Sequence, residues 1–316
     1  MKSNIETREN RSSYEVRLPG SSSNLGAGFD CFGLALQMYL TIRATVAEKG
    51  APKCRLRIVG TRESAELPRT EENLIYRAMA YAARLEEVTL PPLKLAINNQ
   101  ILLSRGLGSS AAAIVGGIKL CGLISNREIS NETVLEYATR FEGHPDNVAA
   151  TLLGGFVVTC PSSDGSVLAL KLPWPAELEI VVVSPHFHVA TKLAREALPR
   201  VVTRADAVHN LQRSALFVAA LTAGRNDFLW EAMKDRLHQE LRQSLVPGLA
   251  EVLALPRMTG LLGMALSGAG PSVLALATEN FELISEAIAG CFQHHKINTS
   301  SRRLKIDVAG CQTRAM

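Results

Sequence analysis

The chain has 316 residues, with 34 Lys and Arg against 30 Asp and Glu and a net charge of +4. A hydrophobic fraction of 47% with 20% charge excludes a disordered chain and fits a soluble globular protein, and the length favours two domains sharing a cleft. No basic run is interleaved with aromatics, which argues against a nucleic-acid surface. The apolar run Ala111–Ile124 is broken by Lys119 and falls short of a membrane span. The cysteines (31, 54, 121, 160, 291 and 311) form no C-x-x-C pair and read as reduced thiols in apolar segments. Met1–Ser13 lacks the apolar stretch of a secretion signal, so a cytoplasmic protein without membrane or nucleic-acid partners is expected. The oligomeric state stays open, a homodimer included. With aromatics at 5%, the core must be mostly Leu, Val, Ile and Ala.

In chain order, residues 1–13 read as a disordered tail. Tyr14–Leu18, Leu36–Glu48 and Lys53–Val59 alternate like strands. Glu71–Glu87 reads as a helix, since Leu74, Ile75, Ala78, Met79 and Ala82 recur at helical spacing. Leu93–Ile97 alternates again, and a Gly-Ser turn then opens onto a helix whose run Ile114–Ile124 reads as amphipathic. Asn131–Phe141 is a further helix with Ser130 as its cap. Glu142-Gly-His-Pro-Asp-Asn147 follows as a polar loop. Gly154–Cys160 and Val167–Leu172 are strands, and Pro173-Trp174-Pro175 is the linker. The second unit starts with a strand from Leu178 to Val183 and continues through several helices to about Leu255. It ends with strands Gly263–Leu266 and Val273–Ala277, helix Phe281–Phe292 and strand Leu304–Val308. This mixed order predicts an α+β fold in two domains, 14–172 and 176–316.

The most informative segment is Gly106-Leu-Gly-Ser-Ser-Ala-Ala-Ala113. Glycines allow a tight turn and close approach to a ligand, and a helix N-terminus offers free N–H groups and a positive dipole end to phosphate. No Gly-Lys-Ser/Thr follows, so this is not the P-loop pattern. Alone, it would read as an ordinary strand-to-helix connection. Two further small-residue segments accompany it, Pro19-Gly-Ser-Ser-Ser-Asn-Leu-Gly-Ala-Gly-Phe-Asp30 and Leu266-Ser-Gly-Ala-Gly-Pro-Ser-Val273. Together the three resemble the sequence motifs of the GHMP small-molecule kinases, over about Tyr14 to Val308. Leu102 departs from the proline or lysine usual in that family, which bears on the rigidity of the loop.

The resemblance implies a ribosomal-protein-S5-like N-domain, a ferredoxin-like C-domain, and ATP with Mg²⁺. ATP would lie along Leu103, Ser104, Arg105, Gly106, Leu107, Gly108, Ser109, Ser110, Ala111 and Ala112, with Asn73 near the adenine. Mg²⁺ would be held by Ser110 and Glu142, since phosphoryl transfer needs a carboxylate beside the phosphate loop. The string Glu142-Gly-His-Pro-Asp-Asn-Val-Ala is similar to that of the homoserine kinases within the family. Where relatives carry an aspartate base, the matching position is Asn147, with Asp146 beside it. An amide cannot accept a proton, which implies catalysis by positioning and charge neutralisation, with Asn147 and Glu142 as the catalytic residues.

For the small-molecule substrate, L-homoserine, the resemblance implies contacts from Asn24, Asp30, His144, Asn147, Arg195, Arg242 and Gly268. Asp30 would meet the ammonium and the two arginines the carboxylate. Each arginine taken singly would read as a solvated helix face. A mevalonate or sugar kinase is the alternative within the family, and a non-catalytic nucleotide-binding protein is the alternative outside it. A dinucleotide oxidoreductase is disfavoured, because Gly26-Ala-Gly28 lacks the third glycine. His186 and His188 have no third ligand at metal spacing, and His294-His295 reads as a polar helix end.

Overall fold

The computed structural model describes residues 13–316. The expected tail over residues 1–13 lies outside the described residues except for Ser13, which opens the first strand. Strands β1 (Ser13–Asn24) and β2 (Gly28–Val46) form a long antiparallel hairpin. The first small-residue segment is therefore mostly strand, not loop, with only Leu25-Gly26-Ala27 as its turn. Its serines pair through the backbone, and their small polar side chains hide the alternation that marks a strand.

β3 (Cys54–Gly60), α1 (Leu74–Leu85) and β4 (Leu93–Asn99) form a parallel strand–helix–strand unit. α2 (Ser109–Ser125) and α3 (Asn131–Glu142) follow, and Ser130 caps α3 by accepting from the Thr133 N–H. The polar loop expected over 142–147 is shorter than read, because α4 (Asp146–Leu153) begins within it. The buried, apolar remainder of α4 stabilises this helix through packing. β5 (Phe156–Pro161) and β6 (Val167–Leu172) complete the first sheet-forming region.

β7 (Glu179–Pro185), α5 (Thr191–Glu196), α6 (Arg204–Ala223), α7 (Leu229–Ala232), a 3-10 turn over Glu240–Leu245 and α8 (Leu249–Leu253) come next. β8 (Leu261–Leu266), β9 (Val273–Ala277), α9 (Phe281–His294), β10 (Thr299–Leu304) and β11 (Gln312–Ala315) close the chain.

The first sheet has seven strands in the order β11-β1-β2-β4-β3, with β5 also on β2 and β6 on β5. The 19-residue β2 makes this possible, pairing β5 through Phe32–Leu34 and β4 through Leu40–Val46. The second sheet is β10-β7-β9-β8, the strand order of a ferredoxin-like β-α-β-β-α-β unit. The final strand expected over Leu304–Val308 lies earlier, at Thr299–Leu304. Its polar, half-exposed residues carry no clean apolar alternation, and Ile306 makes only a single bridge to Leu36. β11 pairs with β1, so the last residues of the expected 176–316 unit belong to the first sheet.

Leu, Val, Ile and Ala fill most of the core, and the few aromatics gather at one junction. Phe32, Phe156 and Phe217 lie 5.2 to 5.4 Å apart between ring centroids. Trp174 packs on Phe156 and donates its indole N–H to the Leu178 carbonyl, so the linker is docked.

Two glycines let the Gly-Ser turn sit against the other small-residue segments. Gly106 has φ +71°, and a Cβ there would stand 1.9 Å from the Ser267 carbonyl oxygen. Gly108 has φ +70°, and its Cβ would stand 1.9 Å from Ser21 Oγ. Gly143 also has positive φ but opens to solvent. Left-handed strain alone costs about 1–2 kcal/mol. Gly106→Ala should therefore lose clearly more stability in urea than Gly143→Ala, because it must also displace backbone. Equal losses would contradict this packing.

Candidate active site

The turn, the β1–β2 hairpin and the 266–272 loop meet around a cleft of about 430 Å³. Hydroxyls join them. Ser267 Oγ donates to the Gly106 carbonyl at 2.6 Å and is hydrogen-bonded to Ser22 Oγ at 2.8 Å, while Gly268 N–H donates to the Ser23 carbonyl. Ser21 N–H donates to the Leu107 carbonyl, and Asn24 Nδ2 donates to the Gly268 carbonyl. These contacts satisfy buried polar groups while fixing three chain segments relative to one another.

Leu103, Ser104, Gly106, Leu107, Gly108, Ser109 and Ser110 line the cleft. Gly108 is the left-handed residue before α2, and the first residues of α2, Ser109 and Ser110, bring the helix N-terminus to this space. Ala111 and Ala112 do not line it; they are fully buried in the core, and Ala113 forms the wall instead. The helical period turns them inward.

Arg105 contributes to the wall, but its guanidinium is directed elsewhere. Nη1 donates to the Pro185 carbonyl at 2.6 Å and Nη2 to Glu63 at 3.1 Å, so it pins the loop to the end of β7. Asn73 borders the cleft as the cap of α1, accepting from Ile75 N–H and donating to the Pro68 carbonyl.

Ser110 at the start of α2 donates its hydroxyl to Glu142 at the end of α3. These are hard oxygen donors of the kind Mg²⁺ takes while phosphate oxygens and water complete its shell. Among the described residues no group of three or more His, Cys, Asp or Glu could hold a metal ion. His186 and His188 belong to no such group, and His294 and His295 both bond Glu251.

Beyond Glu142 lies a buried polar cluster. His144 Nδ1 bonds Asp146 Oδ1 at 2.7 Å, and the same oxygen accepts from the Asn147 N–H. The Asn147 amide is held at both ends, with Oδ1 accepting from Ser21 Oγ (2.9 Å) and Nδ2 donating to Ser23 Oγ (2.8 Å). Burial disfavours charge on His144. The hydrogen bond to Asp146 and the charges of Asp146 and Glu142 outweigh it, and the imidazole pKa is raised.

The opposite end of the cleft carries Asp30, Arg195, Arg242 and Phe29. Asp30 and Arg195, expected on opposite charges of a ligand, form a bidentate pair here (2.8 and 3.0 Å). That hydrogen bonding, opposed by burial, raises the Arg195 pKa. Arg242 is 2% exposed and donates to the Ala194 and Gly268 carbonyls. Burial, with the Arg195 charge, lowers its pKa to about 10, so it stays cationic at neutral pH.

Sequence reasoning missed the layer behind these arginines. Phe29 has the guanidinium carbons of Arg195 and Arg242 5.9 and 5.6 Å from its ring centroid, and it stacks on buried His238. Asp235 accepts from the N–H groups of Leu237, His238 and Gln239 and from Asn210, which also holds the Ala27 carbonyl. The visible signal was Asp235, His238 and Arg242 within one polar string, but nothing in that string marks it as buried.

The raised His144 pKa has a consequence for stability. Its ionised form stabilises the fold fully below the unfolded value of about 6.5, and the contribution is lost as pH rises through the higher folded value. The melting-temperature gap between the wild type and His144→Gln should be largest below about pH 6 and shrink toward pH 9. A gap independent of pH would contradict the ion pair.

A family model described as GHMP kinases N terminal domain matches residues 73–155. The homoserine kinase of Deinococcus radiodurans is 46% identical over 261 residues, covering 83% of this chain and 83% of that protein. That of Solibacter usitatus is 40% identical over 284 residues, covering 89% and 90%. A crystal structure of homoserine kinase from Cytophaga hutchinsonii superposes with a TM-score of 0.83 at 27% identity, over 98% of this chain and 100% of that one. With this identity extending across most of the chain, and a fold that carries the three small-residue segments to one cleft, the chain belongs to the homoserine kinases of the GHMP kinase family.

Proposed function

We infer that the protein transfers the terminal phosphoryl group of ATP to the hydroxyl of L-homoserine, giving O-phospho-L-homoserine, a step of threonine biosynthesis. The observation that carries this reading is the polarity of the cleft. One end is a glycine-serine turn leading into a helix, suited to phosphate. The other end has one carboxylate and two guanidinium groups, suited to an amino-acid zwitterion.

The turn and the start of α2 would cradle the phosphates, with Ser110 and Glu142 holding Mg²⁺. When bound, the ion neutralises charge developing between the β- and γ-phosphates. At the other end, the Asp30–Arg195 pair would exchange partners with the substrate: Asp30 takes the ammonium and Arg195 the carboxylate, which Arg242 also approaches. The hydroxyl would then lie near His144 and Asn147. The Asn147 amide has no proton-accepting role, so its function is orientation, and no side-chain base is required for a loose phosphoryl transition state. The family alternatives use this end less fully: mevalonate has a carboxylate for the arginines but no ammonium for Asp30, and a neutral sugar has neither charge.

A coupled ADP-release assay against homoserine, mevalonate, galactose and shikimate tests the assignment, and homoserine should be the preferred acceptor. Arg195→Met and Arg242→Met should each raise the homoserine KM about 30- to 1000-fold, with the ATP KM little changed. Preference for mevalonate or a sugar would reject homoserine as substrate. Unchanged homoserine KM in both variants would reject the carboxylate assignment.

Glu142→Gln should lower kcat about 10²- to 10³-fold in a folded protein. Near-normal turnover at saturating Mg²⁺ would remove Glu142 from the metal site.

A further inference from the structure

His238 is fully buried behind the substrate end of the cleft and makes two hydrogen bonds of opposite sense. Its Nε2 lies 2.8 Å from the Gly26 carbonyl oxygen, which can only accept, so Nε2 carries the proton. Its Nδ1 lies 3.2 Å from Arg242 Nη1, which can only donate, so Nδ1 presents its lone pair. The imidazole is thereby fixed as the neutral Nε2–H tautomer.

The consequence falls on Arg242. Its Nε is held by the Ala194 carbonyl and its Nη1 by the Gly268 carbonyl and His238. Nη2 makes no hydrogen bond among the described residues, and the side chain lines the cleft. The guanidinium is planar, so fixing two of its nitrogens fixes the direction of the third. The charged groups around the imidazole are Arg242 itself, Asp235 at 3.7 Å and the charge of Asp30. Burial is the largest influence on the ring and favours the uncharged form.

We propose that His238 is a positioning residue that aims the free edge of Arg242 at the substrate carboxylate and ties that aim to the turn of the β1–β2 hairpin. This rests on the reading of Arg242 as a carboxylate ligand. A merely structural histidine would need to fill its space. A positioning one must also accept the guanidinium hydrogen at Nδ1.

Two substitutions separate these roles. The amide oxygen of Asn can occupy the place of Nδ1, whereas the amide nitrogen of Gln occupies that of Nε2. His238→Gln keeps the tether to Gly26 and loses the acceptor for Arg242. It should raise the homoserine KM about 10- to 100-fold, with kcat and ATP KM little changed. His238→Asn should stay within about threefold of the wild type in homoserine KM, because it keeps that acceptor. In an Arg242→Met background, His238→Gln should add nothing further.

Equal effects of the two variants, or an ATP KM that rises in parallel, would overturn the proposal. A raised KM in Arg242→Met beside a normal KM in His238→Gln would sink the His238 role alone, leaving the carboxylate reading intact. A normal KM in Arg242→Met would remove both. If the buried substitutions prevent folding, ¹⁵N spectra of histidine-labelled wild type at pH 7.5 decide instead. They should show an Nε2–H tautomer whose Nδ1 signal moves on addition of homoserine. An imidazolium, an Nδ1–H tautomer or an unresponsive signal would overturn it.

Discussion

The cleft depends on the close approach of three backbone segments at Gly106 and Gly108. Nothing larger than hydrogen fits between Gly106 and the Ser267 carbonyl, or between Gly108 and Ser21. Because the segments come this close, serine hydroxyls span the gaps that larger side chains would fill. Ser267 reaches both Ser22 and Gly106, and Ser21 and Ser23 grip the two ends of the Asn147 amide. The end of the cleft proposed for phosphate and the end proposed for the acceptor therefore share one hydrogen-bonded frame. A displacement of the turn must disturb Asn147, which is how a loop far from the arginines can affect alignment of the acceptor.

The acceptor end is organised around partial burial of charge. Arg242 is almost wholly enclosed but retains carbonyl partners that solvate it, and Asp30 with Arg195 remains half open to the cleft. An enclosed cation without a full set of partners is an unsatisfied group that a ligand carboxylate can complete. The Asp30–Arg195 pair answers the same demand internally. A zwitterion offers one partner of each sign, so exchange replaces one ion pair by two and avoids leaving a charge alone.

Much of this was legible in the sequence where function constrains backbone chemistry. The Gly-Ser turn, the carboxylate after it and the two other small-residue segments stand out because their composition departs from that of core strands and helices. Three strands of the second sheet, β7, β8 and β9, were readable because they are apolar runs, whereas its ferredoxin-like character was implied only by the family resemblance. What was hidden had physical reasons. The serines of β1 are paired strand residues without apolar alternation. α4 starts with two polar residues that belong to the site. β11 is too short and polar to announce itself, yet it returns to the first sheet. Ala111 and Ala112 looked like part of the phosphate loop, but helical periodicity turns them into the core. Asp235 and His238 gave no sign of their place, since burial of a polar string cannot be read from its residue types.

The central claim is that one end of the cleft recognises both charges of an amino acid while the other holds nucleotide phosphates. The most direct measurement compares kcat/KM for homoserine with 4-hydroxybutyrate, which lacks the ammonium, and 3-amino-1-propanol, which lacks the carboxylate, at fixed saturating ATP. Each analogue should lose about 10- to 100-fold or more, one charge-assisted contact apiece, with the ATP KM constant across the series. If 3-amino-1-propanol comes within about threefold of homoserine, the arginines are not reading a carboxylate and the account is contradicted.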